Sequence, residues 1–264
     1  MITTVVQVDI STNQNVKKKF IGSVFRGWLG YNLKCDTNKK CEGCKDTEKC
    51  PYFMVFKEKT GVRPYSILAF ADKQKIRGII RLYGDKKKFA PKILSYIKKN
   101  ENNTHFGGQK YKIDSIKAYN QNIKPINTKD RVRIATVSPL HLTSNQDMEI
   151  IPSFNTILRS SIRAYNRIAK YHDTDNYPFH VGEDITESDA EIVDFDINTV
   201  EYSHVNINNK KMFFSGVEGW VEYDTSALPS EIGTILGMGE ALQIGKHTTY
   251  GFGGFMVTNK EDTD

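Results

Sequence analysis

Hydrophobic and polar residues recur with clear periods along the first half of the chain. Residues 4–10 alternate as in a β-strand, and apolar residues over 16–33 recur every three or four positions, which predicts an amphipathic helix. Asn15 stands where its side chain can cap that helix. The next predicted elements are a strand, a helix and a strand, at 75–83, at 89–99 and after a glycine pair up to Tyr119. The first half is therefore predicted to run β-α-β-α-β.

The second half repeats this alternation with one more strand. Its pattern predicts a strand at 131–137 and a long helix at 153–170, with Ser153 as the helix cap. A strand, a second strand, a helix and a final strand are predicted after it, at 191–207, 212–223, 228–242 and 252–257. The order β-α-β-β-α-β is that of a ferredoxin-like domain.

Together the two halves predict an α+β fold class with two ferredoxin-like domains in tandem. The polar segment 120–129, which contains Pro125, has the composition of a linker. We therefore expect an N-terminal domain over 1–125 and a C-terminal domain over 130–264.

Composition narrows the class of protein without naming an activity. A chain of 264 residues with 39% hydrophobic and 26% charged residues is typical of a globular protein of one or two domains. No run approaches the roughly 20 apolar residues of a membrane span, and the N-terminus lacks the features of a signal peptide. We therefore expect a cytoplasmic protein with no membrane partner. The net charge of +6 is compatible with binding RNA or DNA but does not prove it.

A polar segment after the first predicted helix, 35–50, carries all four cysteines. Their spacing is Cys35-x5-Cys41-x2-Cys44-x5-Cys50, and the segment has almost no apolar residues of its own. Four thiolates around one tetrahedral Zn²⁺ would hold it together, and Cys-x2-Cys is a usual zinc-knuckle spacing. An iron–sulfur cluster, disulfides and free thiols are the alternatives, although a reducing compartment argues against disulfides. Because four cysteines would fill every coordination position, we expect the zinc to be structural.

A glycine-rich stretch at 245–254 lies between the last predicted helix and the last predicted strand. It places Lys246, His247, two threonines and two aromatic residues among four glycines. Glycine lets a backbone approach a ligand closely, and exposed N–H groups can form a nest for phosphate oxygens. The order of helix, loop and strand is the reverse of a nucleotide P-loop. A polyanion lying across the loop therefore fits better than a mononucleotide, and a simple glycine-rich turn is the alternative.

Three arginines fall one turn apart on the long helix predicted at 153–170, opposite its apolar side. They are Arg159, Arg163 and Arg167. Like charges at this spacing slightly oppose helix formation, which favours an anion bound beside them. A solvated face without a ligand is the alternative.

Six short motifs follow one another along nearly the whole chain. They are Phe25-Arg-Gly-Trp-Leu-Gly30, Cys50-Pro-Tyr-Phe53, Arg63-Pro64, Phe106-Gly-Gly108, Ser138-Pro-Leu140 and Ile244-Gly-Lys-His-Thr-Thr-Tyr-Gly-Phe-Gly253. In this order they resemble the CRISPR precursor-RNA processing endoribonucleases of the RAMP (repeat-associated mysterious protein) superfamily, in a subfamily with a four-cysteine insert. The resemblance implies tandem RRM-like domains, which agrees with two ferredoxin-like halves, and a C-terminal glycine loop that contacts RNA.

The resemblance also implies a reaction, the metal-independent cleavage of CRISPR repeat RNA. The 2′-OH attacks the adjacent phosphate and leaves a 2′,3′-cyclic phosphate and a 5′-OH end, which requires a general base, an acid and a cation. The implied partners are repeat RNA or mature CRISPR RNA, and other CRISPR effector subunits. One alternative is a non-catalytic RAMP subunit that binds guide RNA in an interference complex. Another is a zinc-containing nucleic-acid module outside CRISPR systems.

The catalytic residues are harder to assign, because many relatives have a catalytic histidine in or just after the first helix. No histidine precedes His105 in this chain. His247 is the best-placed candidate, because the glycines allow its loop to approach a phosphate. Tyr31 and Lys34, near the end of the first helix, are the second choice. His105 has the corresponding place in the first half, and the other four histidines are expected at the surface or in packing: His141, His172, His180 and His204.

The residues predicted to bind RNA lie in the glycine loop and on the arginine-bearing helix. They are Gly245, Lys246, Thr248, Gly251 and Gly253 in the loop, and Arg159, Arg163 and Arg167 on the helix. The predicted zinc ligands are Cys35, Cys41, Cys44 and Cys50.

Overall fold

A computed structural model describes most of the chain and divides it into two units. The described residues are 1–17, 20–35, 41, 43–58, 61–128, 130–180, 185, 189–205 and 209–259. The first unit contains Met1–Asn122 and Tyr171–Asp173, and the second contains Ile123–Lys170 and Thr174–Asp264. Across the described ranges, no helix combines the length and the apolar character needed to cross a membrane.

The first unit has a four-stranded antiparallel sheet and two helices. Its elements are β1 (Ile2–Thr12), α1 (Gly22–Leu33), β2 (Tyr65–Asp72), β3 (Lys75–Leu82), α2 (Ala90–Asn100) and β4 (Tyr111–Asn122). The strands lie in the order β2-β3-β1-β4. The central strand β1 therefore pairs with the third and fourth strands of its unit, which is the ferredoxin-like arrangement.

The second unit repeats this arrangement and adds a small hairpin. Its elements are β5 (Arg131–Thr136), β6 (Thr143–Ser144), β7 (Asp147–Met148), α3 (Phe154–His172), β8 (Glu191–Val205), β9 (Lys211–Asp224), α4 (Ile232–Leu242) and β10 (Phe255–Asn259). The main sheet has the order β10-β5-β9-β8, and β6 pairs with β7 in a separate two-stranded sheet. The prediction of an α+β fold with tandem ferredoxin-like domains is confirmed.

Close packing fixes the helices onto the sheets. In the first unit, a Cβ atom added at Gly78 of β3 would lie 2.0 Å from the ring of Phe25, so glycine is needed for α1 to approach the sheet. In the second unit, the buried Tyr223 on β9 donates its hydroxyl hydrogen to the carbonyl of Pro152 at 2.6 Å. This bond ties the sheet to the residues that lead into α3.

The cap predicted for α3 is present. The Ser153 hydroxyl oxygen accepts a hydrogen bond from the Thr156 N–H at 3.1 Å. This is the usual contact of a serine cap, which satisfies one of the free N–H groups of the first turn.

Two predictions for the first half were wrong. Helix α1 begins at Gly22, six residues after Val16, and Asn15 does not cap it. The Val16 N–H donates instead to the carbonyl of Lys73 at 2.8 Å, which ties this segment to the turn between β2 and β3. Strand β2 was not predicted, because its first four residues, Tyr65–Leu68, are all buried and do not alternate with polar residues.

Candidate nucleic-acid interface

The glycine-rich loop is held in place by the residues around Ser138-Pro-Leu140. The Lys246 N–H donates to the carbonyl of His141 at 3.0 Å, and the Gly253 N–H donates to the carbonyl of Pro139 at 2.8 Å. The Gly254 N–H donates to the Ser138 hydroxyl at 2.9 Å. Two motifs that are far apart in the sequence therefore form one structure in the second unit.

Left-handed backbone conformations shape this loop. Gly245 has φ of +80° and Gly253 has φ of +85°, and an added Cβ would lie 2.4 Å and 2.2 Å from carbonyl oxygens, respectively. His247 also has a positive φ, 65°, which is uncommon for a residue with a side chain. It begins a single 3₁₀ turn, Thr248–Tyr250, which ends at Gly251. The loop therefore requires glycine at 245 and 253, and it presents His247 at a bend.

Most of the loop's N–H groups are already bonded within the second unit, which limits the predicted phosphate nest. Gly251 and Gly253 are buried, and their N–H groups donate to the carbonyls of Thr248 and Pro139. These two glycines shape the loop and do not offer N–H groups to a ligand. Gly245 and Lys246 are exposed and Thr248 is half-buried, so these residues remain accessible to RNA.

The half-buried imidazole of His247 lies in an aromatic cluster. Its ring centroid is 4.8 Å from that of Phe214, 5.6 Å from that of His141 and 5.7 Å from that of Phe252. Tyr250 contacts the same Phe214 ring at 4.9 Å. These contacts fix the position of the imidazole, which is a requirement for a group that moves a proton in a reaction.

The surroundings of His247 favour its neutral form. Burial lowers the pKa of His247, and the positive charges of His141 and Lys246 lower it further. At neutral pH the imidazole is therefore uncharged and can accept a proton.

His141 is itself held by a hydrogen bond. Its Nδ1 lies 2.7 Å from the carbonyl oxygen of Ser215 on β9. A carbonyl oxygen only accepts, so Nδ1 carries the hydrogen and Nε2 is left as the second functional nitrogen. The bond fixes both the ring orientation and the tautomer.

Two histidines that were expected only at the surface or in packing lie beside the glycine-rich loop in the structure. His141 contacts His247, and the His204 ring lies 5.8 Å from Tyr250 in the same loop. The expectation for His141 and His204 therefore missed a three-histidine grouping around one loop. For His141 a signal was present, because it directly follows the Ser138-Pro-Leu140 motif.

The other histidines lie apart from this cluster or make other contacts. The Nε2 of His172 lies 2.9 Å from the carbonyl oxygen of Val62 and donates a hydrogen bond to it, because a carbonyl oxygen only accepts. His105 and His180 are exposed. His172 and His180 are consistent with the surface or packing roles expected for them. His105 was expected only to hold the place in the first half that corresponds to His247.

Helix α3 presents its arginines to solvent, as its pattern predicts. Arg159, Arg163 and Arg167 are all exposed. An open cleft of about 740 Å³ lies beside the first two, and its lining is mostly polar. The lining residues are Thr143, Ser144, Asn145, Glu149, Ser153, Asn155, Thr156, Arg159, Ile162, Arg163 and Asp189.

The carboxylates of this cleft accept hydrogen bonds from residues at the start of α3. Glu149 accepts hydrogen bonds from the Ser153 N–H and the Thr156 hydroxyl, and Asp189 accepts one from the Asn155 N–H. Thr143, on the cleft wall, follows His141 by two residues, so their Cα atoms are at most about 7.6 Å apart. One residue of the arginine-lined cleft therefore lies close to His141 along the chain.

Tyr31 and Lys34 lie in the first unit, at the end of α1. Tyr31 is 65% exposed and Lys34 is also exposed. Between them, the buried Asn32 fixes the helix end, because its carbonyl accepts a hydrogen bond from the Asn100 side chain at 2.7 Å. Both candidates are accessible on a rigid helix end, but the structure gives neither an activating neighbour in the described residues of that unit.

The cysteine segment is described only in part, because residues 36–40 and 42 lie outside the described residues. Cys35, Cys41, Cys44 and Cys50 are half-buried, and the Cys44 N–H donates to the Cys41 carbonyl at 3.3 Å. Burial raises the pKa of Tyr52, and the charges of Cys41, Cys35 and Cys50 raise it further. Three of the thiols thus lie near one phenol, although no group of three or more His, Cys, Asp or Glu among the described residues is arranged to hold a metal ion.

Two family models match the chain. The model described as CRISPR-associated endoribonuclease Cas6 matches residues 134–255. A second model, described as an N-terminal domain, matches residues 3–139. The Cas6 match spans both the Ser138-Pro-Leu140 motif and the glycine-rich loop that packs on it. No curated protein matches this chain.

Solved structures share the fold over the full length. A Cas6 product complex has a TM-score of 0.62 and 15% identity, covering 98% of this chain and 100% of that chain. Thermus thermophilus Cas6 has a TM-score of 0.61 and 14% identity, covering 97% and 98%. A Cas6-related protein from Pyrococcus furiosus has a TM-score of 0.52 and 13% identity, covering 98% and 99%. At these identities the likeness establishes the fold alone.

Proposed function

We propose that this chain, whose residues 134–255 match the model of the CRISPR-associated endoribonuclease Cas6, is an endoribonuclease of this kind that binds CRISPR repeat RNA and cleaves it by metal-independent acid–base chemistry. The observation that carries the proposal is the setting of His247. A glycine-shaped loop holds the imidazole beside a second histidine and an exposed lysine, in surroundings that lower its pKa.

The first chemical step is the removal of a proton from the 2′-OH of the RNA. Neutral His247 accepts this proton, and the resulting 2′ oxygen attacks the adjacent phosphorus. The P–O5′ bond breaks as the new P–O2′ bond forms. The products are a 2′,3′-cyclic phosphate on one fragment and a 5′-OH on the other.

The remaining requirements are positive charge for the phosphorane and a proton for the departing oxygen. Lys246 is exposed next to His247 and can neutralise charge that develops on the phosphate. His141 has a ring centroid 5.6 Å from that of His247 and is a candidate for the acid. Tyr31 and Lys34 are the alternative catalytic pair.

The binding surface extends from this loop onto α3. Arg159 and Arg163 line the cleft, and Arg167 continues the same exposed face. Arginine pairs well with phosphate because its planar guanidinium donates two parallel hydrogen bonds. We assign this face to the sugar–phosphate backbone of the repeat RNA.

Incubating the purified protein with end-labelled repeat RNA in excess EDTA tests the proposal. We expect single-turnover cleavage at one position, and fragments whose cyclic phosphate is opened by acid. Binding without cleavage would favour the alternative, a non-catalytic RAMP subunit that binds guide RNA. One feature supports that alternative: no histidine precedes His105, so α1 lacks the histidine that many relatives have there.

The four cysteines are proposed to bind one structural zinc ion. Their spacing and the lack of apolar residues in segment 35–50 support this, as does the turn that Cys41 and Cys44 form. Bound zinc would crosslink the segment and supply no chemistry to the cleavage, because all four ligands come from protein.

A further inference from the structure

The end of the β8–β9 hairpin carries an exposed aromatic and cationic surface. Phe213 is 58% exposed and Val205 is 56% exposed. The exposed Lys211 places its Nζ 4.8 Å from the centroid of the Phe213 ring. We call Val205, Lys211 and Phe213 the hairpin-end surface.

Strand register puts these three side chains on one face of the hairpin. Val205 pairs directly with Lys211, and Phe213 pairs with Ser203. Residues that lie directly opposite share a face, as do residues two apart along a strand. Opposite Phe213 stands the small side chain of Ser203, and the Lys211 ammonium lies over one face of the Phe213 ring.

The other face of the same hairpin leads to the candidate site. Phe214 contacts His247 at 4.8 Å and Tyr250 at 4.9 Å. Phe213 and Phe214 are neighbours in β9 and therefore point to opposite faces. Adjacent residues of β9 therefore link the candidate site at His247 to the hairpin-end surface.

The two ends of the hairpin carry opposite charges. The end near the turn has Lys210 and Lys211, whereas the far end of β8 has Glu191, Asp194 and Asp196. A polyanion is attracted to the first and repelled by the second. Charge therefore favours RNA as the occupant of the hairpin-end surface.

We propose that Phe213 stacks on an unpaired base of the bound RNA, while Lys211 contacts a flanking phosphate. The inference rests on the proposed function, because it extends the same RNA site. Exposed aromatic rings bind single-stranded RNA in this way, since every base has a flat face that can stack. The surface thus selects RNA that is single-stranded next to the cut.

Replacing Phe213 tests the stacking, with Phe195 as a matched control. Phe195 is 48% exposed on the neighbouring strand, but it lies at the acidic end of the hairpin. The probe is single-stranded RNA of mixed sequence with one central 2-aminopurine. We expect Phe213→Ala to weaken binding about 5- to 150-fold and to remove the quenching of 2-aminopurine. Phe213→Trp should restore both, and Phe195→Ala should change neither.

Lys211→Gln separates stacking from charge. It should reduce the log–log salt dependence of binding by about 0.7, whereas Phe213→Ala should leave that slope unchanged. Unchanged affinity in Phe213→Ala, or an equal decrease in Phe195→Ala, overturns the proposal. So does a dimer in sedimentation experiments that Phe213→Ala dissociates, because the surface would then bind a second copy of the chain.

The result of the Phe213 stacking experiment does not depend on whether the protein cleaves RNA. A protein that quenches 2-aminopurine through Phe213 but leaves repeat RNA intact has the stacking site and lacks the proposed nuclease activity. A protein that cleaves normally and binds equally well as Phe213→Ala has the nuclease activity and lacks the stacking site.

Discussion

The imidazole rings of His141 and His247 lie 5.6 Å apart between centroids and cross at 84°. The backbone joins the same two segments, because the Lys246 N–H donates to the His141 carbonyl at 3.0 Å. Ring contact and backbone bond together make the glycine loop and the residues after β5 one rigid site. A substitution in either segment is therefore expected to displace the other segment.

Replacing His247 tests its role in proton transfer. We expect His247→Ala to slow single-turnover cleavage by about 10²- to 10⁴-fold, the usual contribution of a general base. RNA affinity should be nearly unchanged, because Lys246 and the arginines of α3 are left in place. The measurement is the cleavage rate at saturating protein, together with the Kd from filter binding.

His180→Ala is the control, because His180 is an exposed histidine outside the loop. Weaker binding with a normal rate at saturation would make His247 a binding residue. The chemistry would then have to be sought around Tyr31 and Lys34.

The pH dependence of cleavage should respond to His141. A general base works only when neutral, so the rate rises with pH through the pKa of His247. Burial, His141 and Lys246 lower that pKa below its usual value of 6.5, so the midpoint of this rise should lie below pH 6.5. His141→Phe removes one positive charge while keeping a ring in place. The pKa of His247 should therefore rise, and the rate of the variant should fall more at acidic pH than at pH 8, where the remaining loss measures the contribution of His141 as the acid.

NMR titration of the His247 ring in the intact protein measures the same pKa without RNA. An upward shift in His141→Phe is expected there too. A pKa that does not move, or one that falls, contradicts the electrostatic coupling of the two rings. An equal decrease in rate at every pH would indicate that His141 acts as the acid or supports the loop.

Helices and strands whose hydrophobic residues recur with a strong period could be predicted from the sequence. Helix α3 and its Ser153 cap are examples, because capping and amphipathic spacing are local properties. Strand β2 was missed because a strand buried on both faces shows no alternation, and the start of α1 was misplaced because a tertiary hydrogen bond holds Val16.

The candidate site was predictable only where one segment contains it. The loop around His247 has a local glycine signature, whereas the positions of His141 and His204 depend on how distant strands pair. His204 reaches Tyr250 because β8 pairs with β9, which sets Tyr202 opposite Phe214. No local pattern in the sequence indicates that strand register.

The arginine face of α3 should bind RNA through charge. Replacing Arg159, Arg163 and Arg167 together by Gln should weaken binding and lower its salt dependence. The slope should fall by about 0.7 log–log units for each phosphate of a single strand that the variant no longer neutralises. The measurement is Kd over a range of salt concentrations.

A variant with the same change in net charge is the comparison. Lys88, Lys98 and Lys99 are exposed on or just before α2 in the first unit. Their replacement by Gln should have a smaller effect on the slope. If the two variants reduce the slope equally, only the overall charge of the protein matters, and if the arginine variant keeps its slope, that face is merely solvated.

The cysteine segment should depend on zinc for its stability. We expect one zinc per chain in protein purified without chelator, and a lower zinc content and Tm in Cys41→Ser. The physical reason is that the free energy of binding a structural metal is also free energy of folding. Lys45→Ala, in the same segment, is the control and should keep both values. Metal analysis and thermal unfolding are the measurements. The fraction of Cys41→Ser that remains folded is expected still to cleave RNA. Zinc well below one per chain would contradict the prediction, and visible absorption of an iron–sulfur cluster would identify the other four-cysteine centre.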